Sequence, residues 1–336
     1  MEKKLQKISQ LDDVPVDLIP LIQSLLPVKD AARTCVLSKS WLYAWSATPH
    51  LRFHKPSQFS NKLKQSEYMM FMNRTISNYV KDNTPIESFD LKLHIKAASL
   101  AKKWIRTVAA QSCLKQLSLQ ICYVTQLCGR LFMFPDGILS GENLRTLLLR
   151  YHSSSSTIWL SYASMSPNPV INCVSLRILE LDCVKISKEV LDRLITTCLL
   201  LEKITLSYCF LKTYKVRNLR YLQELEIYST DHDDILIVDD VPGLRLFTYY
   251  NGFQHKFISF NMQSLTNVTE LSLRGVIIDV AFLEMIESKF PFLKILKLTI
   301  QDWPLKRLDF TRFSLKKLAL EIRESKRIDL QVYSPN

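Results

Sequence analysis

Large apolar residues recur along most of the chain in one spacing, L-x-x-L-x-L, in which aliphatic or aromatic residues replace some of the leucines. At the end of this unit two apolar residues flank a variable one, which is the pattern of a strand with one buried face. The copies begin at ten positions: Ile86, Leu114, Leu144, Leu176, Leu201, Leu222, Leu244, Val268, Leu293 and Leu315. We therefore predict ten short strands, of which the one after Ile86 comes from a looser copy.

The copies follow one another at an average distance of about 25 residues. This distance lies within the period of leucine-rich repeats, which is roughly 20–29 residues. A single repeat cannot bury its apolar side, so that neighbouring repeats must stack to form a stable core. The predicted fold class for residues 86–336 is an α/β leucine-rich-repeat solenoid, with a curved parallel sheet on the concave side and helical or irregular segments on the convex side.

The segments between the strands contain helices and loops. Residues 188–195 and 281–286 have apolar residues at helical spacing, and in the first segment Val190, Leu191, Leu194 and Ile195 share one face. The serines at 153–156, residues 164–169 and the aspartates around 231–240 indicate exposed loops. Cys122 and Cys209 follow their strand leucines at the position where a repeat turns out of the strand, which predicts a structural role for them.

The chain begins with a different pattern, in which three short helices are predicted over residues 14–45. Pro15 suits the first turn of a helix, and Ser38 is a suitable N-cap for the third helix, which carries Trp41 and Trp45. The apolar stripe of the first helix ends at Pro27 and consists of Leu18, Leu21, Ile22, Leu25 and Leu26. Three short helices form only a small core, so we expect this all-α domain to need a partner that covers its apolar surface.

This segment, VPVDLIPLIQSLLPVKDAARTCVLSKSWLYAW, resembles a plant-type F-box. The matching positions are Pro15, Asp17, Leu18, Ile22, Ser24, Leu26, Pro27, Lys29, Asp30, Ala31, Arg33, Thr34, Val36, Leu37, Ser38, Lys39, Trp41 and Trp45. An F-box followed by leucine-rich repeats is similar to the arrangement of the plant F-box/leucine-rich-repeat family. We accordingly divide the chain into a polar tail (1–8), an F-box (9–55), a helical linker or cap (56–85) and the solenoid (86–336).

The resemblance implies that the F-box binds a Skp adaptor, which in turn tethers the chain to a cullin. The adaptor-binding residues that it implies are Pro15, Leu18, Ile22, Leu25, Leu26, Pro27, Val36 and Trp41. For each of them the alternative is a place in the domain's own core. Val14, Pro20 and Ser40 depart from the F-box pattern, and together they could weaken adaptor binding.

The same resemblance implies a non-catalytic substrate-recognition subunit of a Skp–cullin–F-box ubiquitin ligase, whose solenoid binds an unknown protein target. Repeat proteins commonly bind on the concave face. One concave position in successive repeats reads Gln120, Arg150, Asp182, Ser207, Tyr228, Tyr250, Arg274 and Thr299. Tyr228, Tyr250 and Arg274 should lie side by side, and such side chains are frequent interface anchors. We predict that they contact the target; the alternative is that they are ordinary surface residues.

Two other functions remain open at this stage. The departures from the F-box pattern allow a leucine-rich-repeat binding scaffold with a degenerate F-box and no ligase role. Some members of the family bind a hormone and an inositol phosphate, which would make the solenoid a sensor for small molecules. That function requires basic residues that converge on one patch, and the sequence shows no such convergence.

Composition and charge further limit the functions that this protein can have. The net charge is +12, but the lysines and arginines are spread along the chain and accompany no nucleic-acid-binding motif, so we predict a solvated basic surface and no nucleic-acid partner. The six histidines are isolated and the eight cysteines form no CxxC pair, so we expect no catalytic site, metal or cofactor. Without an apolar run of membrane-spanning length, and with a polar start, we predict a protein of the cytosol or nucleus.

Overall fold

A computed structural model describes residues 14–26, 28–54, 62–95, 98–123, 132–153, 162–229, 235–252, 261–263, 265–275, 280–301, 317–324 and 327–333. Its α-helices are α1 (Ile19–Leu25), α2 (Val28–Arg33), α3 (Lys39–Ala47), α4 (Lys62–Lys81), α5 (Ala98–Ala109), α6 (Lys188–Thr197) and α7 (Val280–Lys289). Single turns of 3-10 helix occur at Val16–Leu18, Thr34–Val36 and Asp136–Leu139.

Helices α1 to α3 form the helical domain, residues 14–47. Ser38 caps α3 as predicted, because its hydroxyl accepts a hydrogen bond from the backbone N–H of Trp41 at 3.4 Å. Pro20 lies in the first turn of α1, where a backbone N–H has no partner within the helix. The α-helix therefore begins late, at Ile19. Although proline lacks a backbone N–H, no hydrogen bond of the helix is lost at this position.

The strands of the described residues are β1 (His50–His54), β2 (Ser88–Ile95), β3 (Gln116–Tyr123), β4 (Thr146–Ser153), β5 (Ala163–Ser164), β6 (Ile178–Asp182), β7 (Val184–Lys185), β8 (Lys203–Ser207), β9 (Thr213–Arg217), β10 (Glu224–Ser229), β11 (Ile235–Asp239), β12 (Leu246–Asn251), β13 (Asn261–Gln263), β14 (Glu270–Arg274), β15 (Ile295–Gln301), β16 (Lys317–Glu324) and β17 (Arg327–Tyr333).

Twelve of these strands form one sheet in the order β1-β2-β3-β4-β6-β8-β10-β12-β14-β15-β16-β17. The pairing is parallel from β1 to β16, and only β17 runs antiparallel to its neighbour. Each predicted copy of the repeat contributes one strand, so the repeat architecture inferred from the leucine spacing is confirmed. The chain forms a solenoid with a mainly parallel, curved sheet.

The sheet begins earlier than the sequence indicated. β1 lies within the segment that was assigned to the F-box, yet it pairs with β2 in parallel, with His50 opposite Ser88. Leu51 and Phe53 are buried like the strand leucines of later repeats. The repeat pattern missed this strand because Thr48 stands where the leading leucine would be. The sheet therefore extends from residue 50 rather than from residue 86.

The convex side contains both helices and strands. Helices α6 and α7 occur where apolar spacing predicted them, and the four predicted residues of α6 are buried. Between them the convex side is a three-stranded parallel sheet, β13-β11-β9, which the sequence did not indicate. The repeats that begin at Leu201 and Leu222 are only 21 and 22 residues long. A short extended strand fits into repeats of this length, whereas α6 occupies a longer repeat.

The strand leucines build one continuous core that extends from Leu51 to Leu298. The helical domain has a separate small core, formed by Ile19, Trp41 and Ala44. Full burial of one such side chain contributes about 1.5–3 kcal/mol, so the repeated leucines dominate the stability of the solenoid. Among the helices of the described part, none is long and apolar enough to cross a membrane.

The cysteines of the described residues are free thiols. Cys209 is buried and its thiol donates to the carbonyl of Leu181 at 3.5 Å, in agreement with its predicted structural role. Cys122 lies inside β3, because this strand continues to Tyr123. Of the predicted loops, the stretch that starts at Ser164 is partly packed, since Met165 is buried. Residues 154–156 and 231–234 lie outside the described residues.

Candidate interaction surfaces

The helical domain exposes an unusual number of large apolar side chains. Eight of them lie between residues 16 and 43, whereas those of the solenoid are scattered over a much longer stretch. We call this set the N-terminal apolar surface; it consists of Val16, Leu18, Leu21, Leu25, Val36, Leu37, Leu42 and Tyr43. A domain with a core of three buried residues cannot cover these side chains itself. Exposed apolar groups at this density indicate a surface that binds a partner.

The predicted adaptor-binding residues fall into three groups. Pro15, Leu18, Leu25 and Val36 are exposed, and the exposed fraction reaches 71% for Leu25 and 88% for Val36. Ile22 and Leu26 are partly buried. Pro27 lies outside the described residues.

Trp41 differs from the other predicted adaptor-binding residues, because only 3% of it is exposed. It packs with Ile19 and Ala44 inside the helical domain. The indole therefore supports α1 and α3 and is not available to contact a partner. Leu42 and Tyr43 are exposed in its place. Helical periodicity could have indicated this, since Trp41, Ala44 and Trp45 share the inward face of α3.

Gln23 connects the helices of this domain, and the sequence did not single it out. Its side chain is buried, and Nε2 donates to Thr34 Oγ1 at 2.8 Å and to the carbonyl of Trp41 at 3.0 Å. The Thr34 hydroxyl in turn donates to the carbonyl of Ala31. The Nε2 donors are paired in this way, whereas Oε1 of the same amide is buried without a hydrogen-bond partner among the described residues. The amide thus links α1 to the segments that carry Val36 and Trp41.

The helical domain is joined directly to the solenoid. Trp45 of α3 packs against the main core, and the Tyr79 hydroxyl of α4 donates to the Trp45 carbonyl at 3.0 Å. Burial raises the pKa of Tyr79, and the nearby Cys35 raises it further. The hydroxyl therefore remains a neutral donor at any physiological pH.

The residues that occupy the same concave position in successive repeats form a continuous row across the sheet, as predicted. Strand register places Gln120 opposite Arg150, and successive pairs follow through Asp182, Ser207, Tyr228, Tyr250, Arg274 and Thr299. Neighbouring members are one strand apart, which is about 4.8 Å. Tyr228, Tyr250 and Arg274 therefore lie side by side, as their spacing predicted.

These three side chains contact one another. The ring centroids of Tyr228 and Tyr250 are 6.0 Å apart and the rings are inclined at 42°. The guanidinium carbon of Arg274 lies 4.5 Å from the centroid of Tyr250, which is a cation–π contact. These contacts place two aromatic rings and a guanidinium next to one another near the middle of the concave row.

Tyr208 adds a fourth member that the repeat pattern did not reveal. It follows the row residue Ser207 and has a left-handed backbone, with φ of 55°. Burial raises the pKa of its hydroxyl, the proximity of Tyr250 adds to the effect, and Arg274 opposes it. The same left-handed backbone occurs at Cys183, the equivalent position of the preceding repeat, and the Tyr208 N–H donates to the Tyr228 carbonyl at 2.8 Å. We call Tyr208, Tyr228, Tyr250 and Arg274 the tyrosine–arginine cluster.

Most charged residues near this cluster are paired across strands. Lys203 Nζ lies 2.8 Å from Glu224 and 3.1 Å from Glu226, and the hydrogen bond with Glu224 is the main reason why the pKa of Lys203 is raised. Glu226 also accepts a hydrogen bond from the Tyr228 hydroxyl at 3.1 Å. Similar cross-strand ion pairs are Arg52–Asp90, Arg150–Glu180 and Lys297–Glu270.

Arg274 is an exception to this pairing. Within the described part of the chain, no carboxylate lies at salt-bridge distance from its guanidinium, which contacts the ring of Tyr250 instead. The donors at the edge of a guanidinium stay available when its face is stacked on a ring. Arg274 thus presents hydrogen-bond donors and a positive charge to the concave side.

The described residues contain no group of three or more histidine, cysteine, aspartate or glutamate side chains that could hold a metal ion. The thiols of Cys173 and Cys198 are buried with their sulfur atoms 3.5 Å apart, and the Cys198 thiol donates to the carbonyl of Cys173 at 3.2 Å. Both side chains belong to the main core, where the shared hydrogen bond raises the pKa of Cys198 and lowers that of Cys173.

Comparison with known proteins finds a family model, described as the LRR domain of At1g61320/AtMIF1, that matches residues 82–325. Three similar proteins come from Arabidopsis thaliana. The FBD-associated F-box protein At3g50710 is 28% identical over 279 residues, which are 79% of this chain and 60% of that protein.

The other two are named as F-box/LRR-repeat proteins. At3g44810 is 26% identical over 294 residues, 84% of this chain and 61% of that protein. At5g02930 is 27% identical over 223 residues, 66% of this chain and 42% of that protein. The matched part of the chain thus spans about four to six tenths of the length of these curated relatives.

Proposed function

Since the chain belongs to the plant F-box/leucine-rich-repeat family, we propose that it is the substrate-recognition subunit of a Skp–cullin–F-box ubiquitin ligase. In this function the helical domain binds a Skp adaptor and, through it, a cullin. The solenoid holds a protein target, so that target lysines are brought to a high effective concentration near the ubiquitin-transfer machinery. The chain itself contributes positioning and no catalytic group.

The observation that carries this proposal is the N-terminal apolar surface. It occurs in the segment that matches the F-box pattern and includes the predicted residues Leu18, Leu25 and Val36. Binding of an adaptor would remove these side chains from water, which is worth about 1.5–3 kcal/mol for each one that becomes fully buried. Leu21, Leu42 and Tyr43 extend the proposed contact beyond the residues chosen from the sequence.

Two of the three departures from the F-box pattern, Val14 and Pro20, do not belong to the N-terminal apolar surface. Val14 is partly buried and packs against the core of Ile19, Trp41 and Ala44. Pro20 lies in a helical turn that requires no backbone donor at that position. Neither residue thus gives a reason to favour a scaffold without a ligase role, and adaptor binding decides between the two functions.

For target binding we propose the concave face, with Tyr228, Tyr250 and Arg274 as its anchors. The contacts between neighbouring side chains restrict their motion before a ligand arrives, so that less conformational entropy is lost on binding. Aromatic and arginine side chains in such arrangements carry a large share of the binding energy in many protein interfaces.

The first test is co-expression of the full chain with a Skp adaptor. We expect the two proteins to co-purify at near-equal stoichiometry. A Leu25→Asp, Val36→Asp variant should lose at least about a hundredfold in affinity, because two apolar contacts disappear and two carboxylates would have to be desolvated. Calorimetric titration of the adaptor with each variant measures this loss.

Met70→Asp is the matched control, since Met70 is 62% exposed on α4, outside the N-terminal apolar surface. It should bind the adaptor as the unchanged chain does. If the folded, unchanged chain forms no complex, the ligase function is wrong and a repeat scaffold remains. Equal loss of binding in the control would show that adaptor contact does not depend on the N-terminal apolar surface.

A further inference from the structure

We propose that the tyrosine–arginine cluster recognises an acidic segment of the protein target, with a target carboxylate bound by Arg274 and apolar target residues packed over Tyr228 and Tyr250. This inference rests on the proposed function, because it names the chemistry of the target that the concave face would hold. The cluster lies near the middle of the concave row, where a bound segment would have strands on both sides.

Arg274 differs in its pairing from three other cations of the concave face within the described part of the chain. Arg150, Lys203 and Lys297 also belong to the concave face, and each of them has a glutamate partner. Arg274 lacks such a partner among the described residues and is only half-buried. An arginine binds a carboxylate through two parallel hydrogen bonds from the edge of its guanidinium. That edge is available here because stacking on Tyr250 uses the face.

The backbone that follows Arg274 packs closely against the neighbouring strand. Gly275 follows Arg274 with φ of 72°, and a Cβ atom at this position would collide with the carbonyl oxygen of Asn251. Tyr208 keeps a left-handed backbone in the turn after β8. A binding group that is already fixed loses less entropy when it engages a ligand.

Acidic residues occupy the same row on both sides of Arg274, and by register Glu321 lies two strands beyond it. Asp182 belongs to the same row as Arg274, four strands away, which is about 19 Å at the usual strand spacing. Glu226 lies beside Tyr228 and shares Lys203 with Glu224. A carboxylate would be repelled near these residues and attracted near Arg274. The neutral part of the segment therefore lies over the tyrosines, and its acidic group lies over β14.

The charge of the whole chain agrees with this choice of partner. A protein with a net charge of +12 attracts acidic segments over several ångströms before contact is made. A phosphate would satisfy the same guanidinium edge, so the experiment must separate carboxylate from phosphate.

The test uses short random peptides displayed on phage and selected against the purified full chain, which is immobilised through a biotin tag. We expect the selected peptides to be enriched in aspartate and glutamate next to aromatic or aliphatic residues. One selected peptide is then synthesised with its acidic residues intact, with their amides, and with phosphoserine in their place. Fluorescence anisotropy measures the affinity of each form.

Arg274→Gln should weaken binding of the acidic peptide about 10- to 100-fold and leave the amide peptide almost unaffected. Arg274→Lys should give an intermediate loss, because it keeps the charge but not the two parallel hydrogen bonds. Arg150→Gln is the matched control in the same row, since Arg150 is already paired with Glu180, and it should change affinity less than twofold.

Three results would overturn the inference: no enrichment of acidic residues in the selection, equal affinity of the acidic and amide peptides, or binding by the phosphoserine peptide alone. Adaptor co-purification is measured on the same Arg274→Gln protein and should be unchanged. If the acidic peptide binds but the adaptor does not, the ligase function is wrong and the acidic site stands. If the adaptor binds and the peptide selection fails, only this inference is wrong.

Discussion

At the scale of single residues, the burial of a side chain in the helical domain depends on the direction in which it points rather than on its residue type. Trp41 and Val36 are both apolar and both match the F-box pattern, yet one is buried beneath α1 and the other is almost fully exposed. Gln23 is the converse case. It is a polar residue of a type that is common on exposed helix faces, yet it is buried and donates a hydrogen bond to Thr34. The same residue types thus act as core or as surface according to the face of the helix that carries them.

Tyr79 leads to a prediction about pH. Burial raises its pKa above the usual value of about 10, so the unfolded chain loses this proton before the folded chain does. The free energy of unfolding should therefore be unaffected by this group below about pH 10 and should fall as the pH rises further. Tyr68, with a pKa raised to about 12, adds to the loss.

Tyr79→Phe should cost about 1 kcal/mol at pH 8, because the hydrogen bond to the Trp45 carbonyl is lost. Above pH 10 the variant should lose less stability than the unchanged chain, since it has one ionisable group fewer. Urea unfolding at both pH values, followed by circular dichroism, measures the two effects. An unchanged pH dependence in the variant would contradict a buried, neutral Tyr79.

At the scale of elements, different repeats cover the convex side of the core with different elements. The repeat that contains α6 has room for a helix, and its Ser187 hydroxyl caps that helix by accepting a hydrogen bond from the backbone N–H of Val190. The shorter repeats after Leu201 and Leu222 form β9 and β11 instead. Strand and helix are thus alternative solutions to covering the same leucine core.

Gly275 provides a prediction for the end of a strand. Gly275→Ala should lower the free energy of unfolding by more than about 2 kcal/mol, because the left-handed backbone strain of about 1–2 kcal/mol is joined by a clash with the Asn251 carbonyl. Thermal unfolding measures the loss. Gly141→Ala is the control, since its Cβ would lie 3.8 Å from Leu144 Cβ, an ordinary contact, and its effect should stay within about 0.5 kcal/mol. Similar losses in both variants would contradict the close approach of β14 and β12.

At the scale of the whole molecule, the solenoid is a stack in which each repeat contacts its neighbours. Strands in the middle, such as β6, β8 and β10, are flanked by a parallel strand on both sides, and the helical domain and α4 lie at one end. The stability of such a stack is close to a sum of repeat and neighbour terms. Opening from an end therefore costs less than opening in the middle.

Amide hydrogen exchange should show this gradient. We expect the slowest exchange in β6 to β12 and faster exchange in β15, because fewer repeats beyond it must separate before its amides open. Mass spectrometry of peptic fragments from the full chain measures the rates. Uniform protection from β2 to β15 would indicate a single cooperative unit and would contradict the nearest-neighbour description.

Several features were predictable from particular residues. The spacing of Leu176, Leu179 and Leu181 and of the equivalent residues in other repeats specified the strands, because each burial pattern is local to a few residues. The row from Gln120 to Thr299 followed from the same register. The strand at His50–His54 was not predicted, because Thr48 breaks the leucine pattern. Leu51 and Phe53 are nevertheless buried like the strand leucines of other repeats.

The sequence by itself determined the repeat fold, the order of its strands and the neighbours along the concave row, since a period of about 25 residues places equivalent positions on adjacent strands. Only the tertiary structure decided that Trp41 is internal, that Gln23 links three segments, and that the backbone N–H of Tyr208 donates to the Tyr228 carbonyl. Those outcomes depend on the angle at which helices pack and on how the chain turns out of each strand. Such angles arise from contacts between distant residues, and no local spacing encodes them.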